Sequence, residues 1–419
     1  MSRVRRFGDA TFRSFRTRNF RLFFGGQIVS QIGNWMTLVA QTLLVLHLTH
    51  SGVALGILAA AQFGPILVLG PWAGLVADRS DKRRLLIVVQ VIAMAQSFAL
   101  AALAFLDHPP IVGLYLVAFV GGLTVAFDNP ARRAFVTEMV PREDIPNAVS
   151  LNSALMTGSR IVGPALAGLA VTTVGYGWAF VADGVSYVAV LLAYGLMRAS
   201  DLHRAEPTPR GKGQVREGFR YARANQDLWV PLVMMAIVGT LSYNFQVVFP
   251  LFTTRDLGGS AATFTILFSV MSVGALIGAL AVARRTRISL RTVAITSIAF
   301  GSPMAVMAVV PTLAIALPIA FLVGLGSISF LTASTAIVQT HSSQEMRGRV
   351  LALQAMVFLG STPIGGPILG WISQTWGARW GVAVGAAAAL GAGAWGLSVA
   401  RRTGSGFSPV GSRPDPRPA

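Results

Sequence analysis

Apolar residues run through this chain in long stretches broken by short polar ones. Crossing the hydrocarbon core of a bilayer takes a helix of about 20 residues. Twelve stretches meet that length, at 20–48, 53–77, 85–106, 111–135, 147–173 and 177–198, then at 228–254, 262–283, 290–310, 314–340, 347–374 and 378–400. Inside lipid a helix is one of the few structures that satisfies its own backbone. The pattern therefore predicts an all-α membrane protein with twelve transmembrane helices in two bundles of six. A basic segment, 1–19, precedes the first bundle (20–198), and a polar linker, 199–227, joins it to the second (228–400). The tail, 401–419, is rich in Gly, Ser, Pro and Arg and is expected to be disordered. Within the linker, Val215, Phe219 and Ala222 recur at helical spacing among Arg216, Arg220 and Arg223, which predicts an amphipathic helix at the membrane surface.

Composition agrees with this pattern. Only 12% of the residues are charged and 53% are hydrophobic, whereas soluble domains carry about twice that charged share. The net charge of +18 would suit a nucleic-acid partner if the cations formed a domain of their own. Instead they sit in clusters between the apolar runs: seven before helix 1, then Arg79, Lys82, Arg83 and Arg84 between helices 2 and 3. Arg132, Arg133 and Arg142 follow near the 4–5 connection, and seven more lie between Arg198 and Arg223. Arg284, Arg285, Arg287 and Arg291 flank the 8–9 loop, and Arg347 and Arg349 stand before helix 11. The alternate loops hold only Arg255 and Arg379. Cytoplasmic loops are the ones that carry excess Lys and Arg, so both termini are expected in the cytoplasm of a bacterial inner membrane. The basic N-terminus lacks a clean cleavage site and is not expected to be a signal peptide. No partner of the nucleic-acid class is expected.

The halves resemble each other. A shift of 202 residues pairs Leu151 with Leu353, Gly158 with Gly360, Ser159 with Ser361, Gly168 with Gly370 and Gly175 with Gly377. The Gly163–Pro164 pair slips by one against Gly366–Pro367. A parallel repeat of six helices implies a pseudo-two-fold axis along the membrane normal.

Several residues break the apolar pattern. Asp128, Arg160 and Asp183 are the charges expected well inside the spans, where an uncompensated charge is costly. Asp128 can pair with Arg160, with Arg132 on its own helix, or with Lys82. Arg160 is expected to face a cavity. Gln27, Gln31 and Asn34 share one face of helix 1, near Gln41. Gln62, Asn244 and Gln246 can join them, because amides facing lipid are costly. Trp35, Phe63, Tyr243, Phe245, Phe330 and Phe358 are candidate apolar walls. Cysteine is absent, and no Walker loop, HExxH or His cluster occurs, so neither a cofactor nor a metal is expected and the chain is not expected to be an enzyme.

The sequence GLVADRSDKRRLL (74–86) resembles the signature between helices 2 and 3 of the major facilitator superfamily, G-x-x-x-D-R-x-x-R/K-R. Gly74, Asp78, Arg79, Lys82 and Arg83 match it, while Ser80 and Asp81 replace the usual glycine. Gly74 is expected to permit close backbone approach, and the resemblance assigns Asp78 to stabilising one access state. GSRIVGPALAG (158–168) is similar to the helix 5 motif of exporters in that superfamily, with Gly158, Gly163, Pro164 and Gly168. AFDNPARRAF (126–135) resembles the helix 4 ending of the branch with macrolide efflux pumps and the enterobactin exporter. The resemblance implies a monomeric secondary transporter that exports a small amphipathic molecule, such as a drug, siderophore or metabolite, by alternating access. Protons are the implied coupling ion, with Asp128 or Asp183 as carrier, and membrane lipids are the surroundings. A lipid or lysolipid translocase, a non-transporting membrane interaction protein and an uptake permease are the competing expectations.

Overall fold

The computed structural model describes residues 12–203, 214–283 and 288–402. The cationic groups at 3–6 and 284–287, the middle of the linker and nearly all of the tail lie outside them. Twelve helices are long and apolar enough to cross a membrane, and the described residues contain no strand. The first six are α1 (Arg18–Thr49), α2 (Gly52–Arg79), α3 (Lys82–Ala104), α4 (Ile111–Glu138), α5 (Ile145–Thr173) and α6 (Tyr176–Leu196). The second six are α7 (Gln226–Asp256), α8 (Ala261–Ala283), α9 (Leu290–Val309), α10 (Leu313–His341), α11 (Gln344–Thr375) and α12 (Ala378–Arg402). With an even number of spans both chain ends lie on one side, called here the terminus side; the other is the far side.

Local chemistry sets the ends of these helices. Ser51 caps α2 by accepting from the Ala54 N–H, Asp81 caps α3 by accepting from Arg84, and Ser289 forms a capping box with Thr292 on α9. Gly175 and Gly377, one repeat apart, both have positive φ (87° and 101°) in the turns before α6 and α12. That backbone favours glycine, which explains why the repeat keeps it at both places.

One expected element differs. Helix 7 is not continuous: Gln226–Ser242 stops, and Phe245–Leu251 resumes after a break at Tyr243–Asn244, ending in a π-turn over Phe252–Asp256. The break leaves the Asn244 amide, which donates to Thr240 O (2.7 Å), inside the span. The linker helix, Gln214–Ala224, is fixed to the second half. Its Glu217 pairs with Arg349 of α11 (2.6 Å), and its Phe219 packs edge-on against Trp229 of α7.

Helix neighbours repeat between the halves. In the first, α1 packs on α5 and α6, α2 on α4, and α3 on α6; in the second, α7 packs on α11 and α12, α8 on α10, and α9 on α12. Between the halves, α2 meets α11 and α5 meets α8, which are equivalent under the repeat.

These cross-half contacts lie toward the far side and rest on glycine. A Cβ added at Gly56 would stand 2.6 Å from Pro367 Cα and 2.8 Å from Gly366 O, and one at Gly168 would stand 3.0 Å from Thr265 Cβ. Gly52 N donates to Gln374 Oε1 (2.7 Å), Ser269 Oγ donates to Ile161 O (3.3 Å), and Arg255 donates to His50 O. At the terminus side the picture reverses. Among the described residues, nothing lies within 4 Å of a Cβ added at Gly74 or Gly348. The close approach expected at Gly74 is therefore absent among the described residues. Among the described residues, the close glycine contacts between the halves lie from the middle of the helices to the far side.

A side chain at Gly56 is expected to pry the far side open, whereas one at Gly74 meets nothing. The chain has no cysteine, so a single cysteine at Ala59, buried beside Gly366, reports the change. In detergent, Gly56→Val is expected to raise its maleimide labelling rate several-fold and Gly74→Val to leave it unchanged. Unchanged labelling in a folded Gly56→Val protein would contradict this account of the seal.

Candidate functional site

The buried charges of the first half form two groups. Toward the terminus side, Asp128 of α4 pairs with Arg132 one turn later (Nε to Oδ2, 2.9 Å) and accepts from Gln90 Nε2 of α3 (2.9 Å). Arg132 also donates to Asn129 Oδ1 (2.9 Å). Of the three partners open to Asp128, the structure selects Arg132. Pro130 sits inside α4 without ending it.

Lys82 is taken instead by Glu138, at the end of α4 (2.8 Å). Glu138 is only 5% exposed and Arg132 only 7%, so the expectation that Asp128, Arg160 and Asp183 are the only deep charges is corrected. Glu138 was missed because it stands in a basic, loop-like run, where a carboxylate passes for a solvated residue. Arg83 donates to the free carbonyls of Tyr194 (2.7 Å) and Gly195 (3.1 Å) at the end of α6, where a cation also suits the helix dipole. Asp78 is half-buried in the last turn of α2, and Arg79 is exposed. The basic residues of the signature thus tie α3 to α4 and α6 at the terminus side.

The second group surrounds Asp183, which is 1% exposed. The hydroxyls of Thr37 (2.8 Å) and Ser97 (2.7 Å) donate to its Oδ2, and Ser186 stands 3.4 Å from its Oδ1. Among the described residues no cation lies within ion-pair distance of this carboxylate. It lines a cavity of about 70 Å³ together with Asn34, Gln41, Gln62, Gln96 and Tyr187. That is room for water, whose bound form needs two to four polar partners. Tyr187, one turn from Asp183 on α6, lines the same cavity.

The amides divide between these regions. Gln62 donates to Gln41 Oε1 (3.0 Å), and Gln41 donates to Leu114 O (3.1 Å), beside the Asp183 cavity. Gln31 donates to Gln27 (3.2 Å), and Gln27 donates to the Tyr194 hydroxyl (3.1 Å) inside the bundle. Gln27 and Gln31 are therefore structural links, and Asn34 and Gln62 line the cavity. Gln246 is half-buried one turn beyond the break in α7.

A third region lies between the halves. Arg160 of α5 stacks over the Trp35 ring of α1 (5.0 Å). Packing makes this possible: a Cβ at Gly163 would stand 2.9 Å from Ile32 O and 3.1 Å from Met36 N, so α5 rides on the backbone of α1 one turn away. Across the interface, Tyr243 stands at the break in α7 with its hydroxyl donating to Ser327 O, and packs edge-on against Phe358 of α11 (5.0 Å). Asp128 does not reach Arg160. Pro164 and Gly168 continue α5 toward the far-side contact with α8.

A two-bundle fold, deep charges in one bundle and a seal at one end are the arrangement of a transporter. Residues 9–410 match the family described as transmembrane secretion effector. The chain belongs to this family, within the major facilitator superfamily, and is a transporter rather than an enzyme. It is 24% identical to the staphyloferrin A transporter of Staphylococcus aureus over 85% of this chain and 90% of that one. Macrolide efflux protein A of Streptococcus pyogenes is 24% identical over 83% and 87%. The multidrug efflux pump Tap of Mycolicibacterium fortuitum is 27% identical over 80% and 84%. Among solved structures, a bacterial homologue of the human lysosomal transporter Spinster, inward-facing and unoccupied, superposes with a TM-score of 0.75 at 16% identity, covering 94% of this chain and 98% of that one. That likeness concerns the fold. The transporter is thus a multi-pass membrane protein with bacterial efflux pumps among its relatives.

Breaking a buried ion pair costs about 3–5 kcal/mol, because one charge is left alone, while replacing both partners costs far less. Asp128→Leu is therefore expected to lower the thermal midpoint of the detergent-solubilised transporter sharply. Asp128→Leu combined with Arg132→Leu is expected to recover most of the loss. A double variant as unstable as the single would show that the pair acts other than by mutual compensation.

Proposed function

We propose that this transporter exports a small amphipathic molecule across the bacterial inner membrane in exchange for protons, with Asp183 as the proton carrier. One observation carries the assignment of the carrier. Of the two deep acids singled out, Asp128 already has a cationic partner, whereas Asp183 is held by hydroxyls beside a cavity that admits water. A neutral hydroxyl accommodates either protonation state of a carboxyl, while a guanidinium holds it ionised. Proton transfer needs the first kind of surroundings.

The basic loops lie on the terminus side, so the positive-inside rule makes that side cytoplasmic. The state described here is then inward-facing, sealed at the periplasm by the α2–α11 and α5–α8 contacts. Substrate enters between the halves from the cytoplasm or inner leaflet. Protonation of Asp183 from outside and its release inside would bias the rocking of one half against the other. The efflux proteins among the relatives support the outward direction.

In proteoliposomes loaded with a panel of small amphipathic aromatic molecules of differing charge, efflux of those transported is expected to follow an imposed pH gradient and to vanish when a protonophore collapses it. Asp183→Asn is expected to lose gradient-driven efflux entirely while keeping downhill exchange. Transport indifferent to the gradient would overturn the coupling, and a normal gradient response in Asp183→Asn would overturn the choice of carrier.

A further inference from the structure

We infer that the transported molecule is an organic anion whose carboxylate or equivalent acidic group pairs with Arg160 between the two halves. This rests on the export reading only in placing a substrate there.

The first support is charge accounting. A cation at mid-membrane costs at least about 2.5 kcal/mol unless something compensates it. The other deep charges of the first half are compensated by the protein: Asp128 with Arg132, Lys82 with Glu138, and Asp183 with three hydroxyl residues. Among the described residues Arg160 has neither a carboxylate within ion-pair distance nor a hydrogen bond. Its contact is the face of Trp35, which orients the guanidinium and leaves its five N–H donors without a protein acceptor among the described residues. The second half offers no neutralising acid, since the carboxylates on its spans, Asp227, Asp256 and Glu345, all lie at helix ends.

Position is the second support. Trp35, Arg160, Tyr243 and Phe358 each lie within two residues of the middle of their helices, α1, α5, α7 and α11. All four are half-buried rather than sealed in the core. Two of them belong to each half, so a molecule touching the set contacts both bundles, as alternating access demands. The set combines one cation with three aromatic faces. It suits a planar or apolar body with a single acidic group, for which a guanidinium supplies bidentate geometry. The repeat also breaks here, because the position 202 residues after Arg160 is Thr362. The cation is a feature of one half and not a relic of the shared scaffold.

The test uses three ligands with one ring system and different charge: 2-naphthoate, 2-naphthamide and 2-naphthylmethylammonium. Equilibrium dialysis against the detergent-solubilised full chain at neutral pH measures their affinities. Charge-assisted hydrogen bonds are worth about 1.5–3 kcal/mol, so naphthoate is expected to bind about tenfold or more tighter than naphthamide. The ammonium is expected to bind weakest. Arg160→Gln is expected to abolish the preference for naphthoate while leaving naphthamide affinity unchanged, and Arg160→Lys to retain part of it. Charge-blind binding in the wild type would overturn the inference without reference to any variant. So would an undiminished naphthoate preference in Arg160→Gln. These measurements need no gradient. Charge-blind binding alongside gradient-driven efflux sinks the anion site and spares the export reading, and the reverse pair of results does the opposite.

Discussion

Two helices come together backbone to backbone only where a side chain is missing, and the closed end of this transporter depends on that condition. Gly52 and Gly56 on α2 meet Gly366 and Gly370 on α11; Gly168 on α5 meets Thr265 on α8. In lipid there is no hydrophobic gain from pressing apolar helices together, so such contacts rest on close van der Waals fit and on a few polar links. Here the links are Gly52 to Gln374, Ser269 to Ile161 and Arg255 to His50. A seal of smooth surfaces and few bonds holds this end shut. The same glycine logic positions the centre, where Gly163 lets α5 ride on α1 and Gly365 lets α11 ride on α7 at Asn244.

Charge follows a second constraint, the low dielectric. The first half carries its deep charges as compensated pairs, one hydroxyl-held acid and one arginine stacked on Trp35; the second half has none at depth. The bundles are therefore alike in packing and unlike in chemistry. One supplies the acid, the cation and the water-sized cavity, and the other supplies aromatic wall and the broken helix. Only the fold brings Arg160 and Trp35 of one bundle and Tyr243 and Phe358 of the other to the same depth.

Much of this was legible in the sequence because it rests on local patterns. Apolar runs of sufficient length marked the spans to within a few residues. The 202-residue shift gave the repeat, and its glycines proved to be the equivalent contact and turn positions, Gly168 with Gly370 and Gly175 with Gly377. The apparent slip at the Gly-Pro pair also has a meaning. In strict register Gly163 answers Gly365, and both carry the same inter-helix contact, while the proline alone has moved.

What the sequence by itself determined is therefore the number of spans, their pairing into halves and the residue types too polar to face lipid. Each follows from free energies that act on a residue or a single helix: transfer into hydrocarbon, helix length and glycine's backbone freedom. Tertiary structure alone decided the partners. Asp128 took Arg132 and left Arg160 without an acid, Lys82 found Glu138, and the four central side chains came to one depth from four helices. Pairing energy varies with distance, and a distance between helices is set by how the whole bundle packs, which no single stretch of sequence encodes.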